Sequence, residues 1–355
     1  MSFPAFAESI KIAEAEFLRR ELEFSLIPFE SLADVKDLPS TLILILKSPS
    51  GILEEVLDMN ASLIVLVLGD EKYQSDLFFK LEKAENVLRV YTPYFPTKPR
   101  TSMILRMVAG SILDGGIRFR APAGGILRTL INGARKWRST ADLSKFAKVR
   151  QIPLGYTNRF VEELSLLGII RQDSNSLFEQ APLRIPGFRT KNVSFVGTRD
   201  SWCRDLAISH LKRAIFSDSI TGTFSIDPKW GGGSNLKVKD YSSSIIDSDA
   251  VLCPPGYSSN FTFRFWECLL LGTFPISLPL TTQDWHLWQP NAWRNETIKR
   301  ISAFSWRRQI STFGRNSFDQ STYRGLVNSA LDEGRDQLNA ARRFIEDQFK
   351  SEPDL

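Results

Sequence analysis

The chain has 355 residues, 43% hydrophobic and 24% charged, and carries a formal net charge of +5. That balance excludes a disordered chain and describes a globular protein long enough for two core-bearing domains. Its three cysteines, Cys203, Cys253 and Cys268, lack C-x-x-C spacing, so they support neither a disulfide framework nor a zinc site and are expected as buried thiols. No stretch approaches the roughly 20 apolar residues that cross a bilayer. Glu8, Glu14 and Glu16 interrupt the apolar positions near the start, unlike a signal peptide, and the expected location is cytoplasmic.

In chain order, residues 1–37 read as a charged helical segment, with the periodicity clearest over residues 6–26. STLILILKSPS and ASLIVLVLGDE are β-branched runs of the kind that fill the centre of a parallel sheet. GILEEVLDMN between them, and KYQSDLFFKLEKAEN before VLRVYTPYF, repeat a helix-then-strand order. This alternation predicts a first α/β domain over residues 38–150. Asp70 and Glu71 close the second of those strands at its carboxyl end, where ligands of open parallel sheets bind. Their simplest alternative role is to cap the next helix.

Residues 98–150 hold twelve Lys and Arg against two Asp, interleaved with apolar positions. Such a block suits docking to an anionic acceptor or to a membrane surface, or it is a solvated basic face. No nucleic-acid-binding motif accompanies it, and a nucleic acid partner is not expected. Residues 151–190, polar and proline-bearing, read as a linker or insertion.

A second alternation follows over residues 191–320. KNVSFVGT reads as a strand and DSWCRDLAISHLKRA as a helix, with a junction at Gly197 and Thr198 that suits an anion. Arg204 is within reach of that junction, although it also has Asp200 to pair with on the helix surface. The GGG run at residues 231–233 lacks the G-K-[ST] of a phosphate-cradling loop.

Residues 251–277, VLCPPGYSSNFTFRFWECLLLGTFPIS, form the densest motif: buried strand, turn, short helix, buried strand. The helix is predicted over residues 262–271, stopping at Gly272, with Phe263, Trp266 and Leu270 on its buried face and Arg264 and Glu267 together on another. A cation in a helix's first turn is disfavoured by the macrodipole, so Arg264 implies an anion in front of it. Glu267 is spaced to accept hydrogen bonds from a diol. The competing reading is that the two simply make an i,i+3 surface pair.

P-x-G, a few small polar residues, FRFWE and G-x-x-P-I together resemble the exostosin-like glycosyltransferases. The resemblance extends to Tyr241, Ser244 and Ser248, to FVGTRDSWCR and to IPLGYTNRF, and covers roughly residues 151–278. It implies an α/β protein of GT-B fold, two Rossmann-like domains facing across a cleft, with the C-terminal domain holding a nucleotide-sugar donor. The implied activity is inverting transfer of the sugar to an acceptor hydroxyl, with no cofactor besides the donor. The implied donor-binding residues are Gly197, Thr198, Arg204, Gly256, Tyr257, Ser258, Ser259, Thr262, Arg264 and Glu267.

Inverting transfer needs a base for the acceptor hydroxyl. The resemblance implies a base in the N-terminal domain, where neither His210 nor His286 lies, so Asp70 and Glu71 are the candidate base, with His286 able instead to reach the cleft from the loop after residues 274–278. His286 sits in the aromatic run DWHLWQPNAW, whose Trp285, Trp288 and Trp293 suit sugar stacking or core packing. Metal dependence is not expected, because no D-x-D follows an apolar strand. The last segment, residues 321–355, reads as an amphipathic helix that packs across the domains or against another copy, with Arg342 and Arg343 in solvent. A non-catalytic sugar- or nucleotide-binding module and a nucleotide-sugar epimerase of the same fold are the alternative functions.

Overall fold

A computed structural model describes residues 2–7, 11–28, 40–46, 57–58, 60–68, 75–93, 145–171, 176–183, 189–198, 202–227, 238–254, 262–277, 305–313 and 320–350. Within them the strands are β1 (Phe3–Ala7), β2 (Phe24–Pro28), β3 (Thr41–Leu46), β4 (Ser62–Val67), β5 (Val87–Thr92), β6 (Val149–Gln151), β7 (Lys191–Thr198), β8 (Gly222–Asp227), β9 (Ser248–Leu252) and β10 (Phe274–Ile276). The helices, numbered here in chain order, are α1 (Ala15–Glu21), α2 (Ser75–Lys83), α3 (Asn158–Leu166), α4 (Leu177–Gln180), α5 (Trp202–Phe216), α6 (Val238–Ile246), α7 (Phe263–Leu270), α8 (Trp306–Phe313) and α9 (Gln320–Lys350).

Strands β1 to β6 form one sheet in the order β2-β1-β3-β4-β5-β6, and β7 to β10 form a second in the order β10-β9-β7-β8. Every pairing is parallel. The protein is therefore α/β, as its alternating pattern predicts. Strand β3 is buried along its whole length and β4 beyond its first residue, because helices cover both faces of a parallel sheet. Each buried Leu, Ile or Val there contributes roughly 1.5–3 kcal/mol of transfer free energy.

The first 28 residues depart from the helical expectation. Their described part forms a strand-helix-strand unit in which seven residues are helical. Phe3, Ala5 and Ala7 are buried where β1 pairs with both β2 and β3, so tertiary pairing outweighs the local helical periodicity. Residues 1–37 are thus not a separate helical segment; their described part belongs to the first sheet. The predicted linker is likewise more ordered than expected. It contributes Gln151 to β6 and carries α3 and α4.

Gly155 marks the passage from β6 to α3. Its φ is +75°, and a Cβ there would lie within 2.5 Å of Cγ of the Phe17 ring. That ring packs edge-on against Tyr156, with centroids 5.5 Å apart. Only glycine lets the chain turn this close to α1.

A single apolar cluster runs from β1 and β3 of the first sheet through α3 and α4 to β7, β9 and α7 of the second. The long helix α9 spans it. Near its start Tyr323 packs edge-on against Phe274 of β10, and near its end Phe349 meets Phe3 of β1 and Phe344 lies under Arg89 of β5. Helix α9 therefore packs across both sheets. Arg342 is not in solvent as its helical position predicts. Its Nε donates to the Glu21 carbonyl at 2.6 Å and Nη2 to that of Arg20, which ties α9 to the end of α1. Arg343 does lie on the exposed side, donating within its own helix to Asn339 O. No helix among the described residues is long and apolar enough to cross a membrane.

Candidate functional site

The order of the second sheet creates a particular edge. From β7 the chain passes through α5 to β8 on one side, then returns through α6 to β9 on the other side of β7. The connections leaving the carboxyl ends of β7 and β9 diverge there, which opens the crevice where open α/β sheets hold ligands. Gly197 and Thr198 end β7, and Cys253 follows β9 at the same edge. Helix α7 begins a few residues later.

Two anion sites that the sequence places far apart converge at this edge. The Arg264 guanidinium lies beside Gly197, 5.2 Å from the centroid of the Phe195 ring. Gly197 has φ +151°, and a Cβ there would overlap Nη2 of Arg264 and sit 3.1 Å from its Cζ. The glycine thus makes room for the arginine, rather than for a ligand as its sequence context suggests. Arg204 stands half-buried in the first turn of α5, the helix that leaves β7.

The start of α7 has unspent hydrogen-bonding capacity. Thr262 takes the extended N-cap geometry, with φ −77° and ψ 166°, yet makes no side-chain cap. Its Oγ1 is buried without a partner, and so is Nε of Arg264. No carboxylate among the described residues lies within ion-pair distance of Arg264. Unpartnered buried donors normally cost on the order of 1–3 kcal/mol, so this cluster favours an anionic, acceptor-rich group. The positive end of α7 adds to that preference.

Glu267 lies elsewhere than its helical spacing predicts. The open polar face is absent: Phe265, Trp266, Cys268, Leu269 and Leu270 are all buried, and Glu267 itself is only 1% exposed. Its Oε1 accepts from the Thr157 amide at 3.2 Å and the Thr157 hydroxyl at 3.0 Å, and its Oε2 from the Tyr241 hydroxyl at 2.5 Å. Burial pushes this carboxyl above its ordinary range, and the Tyr241 and Thr157 donors pull it back.

Thr157 is also the N-cap of α3, where its Oγ1 accepts from the Phe160 amide at 3.2 Å. Further along α3, Glu163 accepts from the Ser242 amide at 2.9 Å and from Arg159 Nε at 2.9 Å. Helices α3, α6 and α7 are therefore joined by two buried carboxylates. Thr157 and Tyr241 are site neighbours that spacing alone does not reveal as such. Both lie in segments that carry the exostosin-like resemblance, Tyr241 by itself and Thr157 within IPLGYTNRF, but the local pattern around Thr157 signals only a helix start.

Beneath Arg264, Cys253 and Cys268 are free, buried thiols with sulfurs 3.8 Å apart. Burial pushes the Cys268 thiol well above its ordinary range, and these cysteines are packing residues as expected. Of the remaining predicted site residues, Asp70, Glu71, Gly256, Tyr257, Ser258 and Ser259 lie outside the described residues, as do His286 and the tryptophans around it. Most of the basic block does too. No family model matches the chain, and no curated protein is similar to it.

Proposed function

We propose that this chain is a glycosyltransferase of the exostosin-like kind, with a GT-B fold, moving a sugar from a nucleotide-diphosphate donor to an acceptor hydroxyl with inversion. The observation that carries this reading is Arg264. Its guanidinium is held at the switch point of the second sheet, free of any described carboxylate, beside the uncapped start of α7. A diphosphate supplies the anion and the acceptor oxygens that this cluster lacks, and its negative charge grows as the sugar departs. Arg204 and Thr198 are assigned to the second phosphate, as the family resemblance implies. Asp70 and Glu71 are the carboxylates proposed as base for the acceptor hydroxyl. No metal and no further cofactor are part of the proposal.

The test is calorimetric titration of the purified chain with UDP, GDP, CDP and pyrophosphate, for the wild type and for Arg264→Ala. One nucleoside diphosphate and pyrophosphate should bind, and the variant should lose about 10- to 100-fold in affinity for both, the value of a charge-assisted contact. Binding that is absent from the wild type, or that survives the substitution unchanged, overturns the assignment.

A further inference from the structure

An arginine and a carboxylate one helical turn apart ordinarily pair, and this protein contains such pairs. Arg159 reaches Glu163 at 2.9 Å within α3, and Arg335 reaches Asp332 at 2.5 Å within α9. Arg264 and Glu267 have the same relationship in α7 and do not pair. Instead, among the described residues, the hydrogen bonds to Glu267 come from other elements: two from Thr157 at the start of α3 and one from Tyr241 in α6. These donors occupy both carboxylate oxygens, while the guanidinium lies against Gly197. We propose that Thr157 and Tyr241 are positioning residues of the anion site, occupying Glu267 so that it cannot neutralise Arg264 and leaving the guanidinium free for a diphosphate. This rests on the reading of Arg264 as the diphosphate ligand.

The physical basis is competition for one buried carboxylate. At 1% exposure, Glu267 has no access to water, so it must be satisfied by protein donors. Each donor removed raises the demand for another, and the nearest cation on its own helix is Arg264. Release of Glu267 would form the i,i+3 pair that the spacing favours, and the anion site would then face an internal salt bridge rather than an open cation.

The experiment measures pyrophosphate affinity of the full chain by calorimetry. The variants are Tyr241→Phe, Thr157→Val, and each of these combined with Glu267→Gln. Either single substitution should weaken pyrophosphate binding about tenfold, and adding Glu267→Gln should restore it to about twofold of wild type, because a neutral amide cannot neutralise Arg264. A purely structural role predicts the opposite, since removing a further partner of the network should deepen the loss. An unchanged single variant, or a double variant weaker than its parent, overturns the proposal. Thermal unfolding selects the variants that fold, and Thr157→Val decides the matter if Tyr241→Phe does not. Pyrophosphate binding that is lost in Arg264→Ala but shows no such rescue removes this inference and leaves the site standing. A wild type that fails to bind pyrophosphate removes both.

Discussion

Gly197→Ala separates the two roles a glycine can play at a phosphate site. If the glycine exists to let a ligand approach the backbone, alanine should cost binding through contact with the ligand itself. The structure assigns the cost to Arg264 instead. The added Cβ would overlap Nη2 and sit 3.1 Å from Cζ, inside ordinary contact, so the guanidinium has to leave its seat over Phe195. The arginine is the flexible end of that contact, and its displacement costs little stability. The backbone is less forgiving, because φ +151° is a glycine region and holding alanine there costs on the order of 1–3 kcal/mol. The variant should therefore fold with its melting temperature lowered by a few degrees. It should also lose about as much pyrophosphate affinity as Arg264→Ala, roughly 10- to 100-fold. Combining the two substitutions should then give no further loss of binding, since both act through one side chain. Calorimetry on the four proteins of that cycle reads the result directly. A Gly197→Ala protein that is less stable yet binds pyrophosphate like wild type refutes the seating role, and losses that add refute the shared pathway.

Gly155→Ala should be the more damaging substitution. Here the added Cβ meets the Phe17 ring, which is wedged against Tyr156 and Phe178, and φ is +75°, so neither partner can yield. A loss of about 3 kcal/mol or more is expected in denaturant unfolding, and one below about 1 kcal/mol contradicts the packing argument. Glu21→Gln tests a buried carboxylate away from the site. Burial raises the Glu21 carboxyl above 4.5, against hydrogen bonds from Ser176, Tyr156 and the Leu177 amide. The folded state then holds the proton more tightly than the unfolded one, so this group's stabilising contribution is complete below the unfolded pKa and is lost as pH rises through the raised folded value. The wild type should lose stability as pH rises above the ordinary carboxyl range relative to Glu21→Gln, and parallel melting curves there would show that Glu21 does not carry the dependence.

How far the sequence speaks for this structure differs from element to element. The runs TLILIL and SLIVLV announce fully buried parallel strands because nothing but a two-sided cover accommodates so many consecutive apolar residues. FPAFA does not announce a strand. Its proline and alanines are weak strand formers, and β1 exists because β2 and β3 lie on either side of it. The C-terminal helix is plain from its periodicity, but the role of Arg342 is not. Helical position places its side chain on the polar face, and only the approach of the α1 carboxyl end gives the guanidinium two carbonyls to bind.

The candidate site repeats that division within eight residues. The helix FRFWECLL, its start after Thr262 and its stop before Gly272 follow from local chemistry, and they put Arg264 at the correct end of α7. What Arg264 faces does not follow locally, because Gly197 reaches it only through the strand order that sets β9 beside β7. Nor does the fate of Glu267, whose spacing from Arg264 argues for a surface pair while donors from α3 and α6 decide otherwise. A local pair is worth only about 0.2–0.5 kcal/mol. Several hydrogen bonds to a buried charge are worth more than that each. In α7, where donors from α3 and α6 reach both carboxylate oxygens, they therefore outweigh the local pair, and on the proposed reading Arg264 is the group left for a ligand.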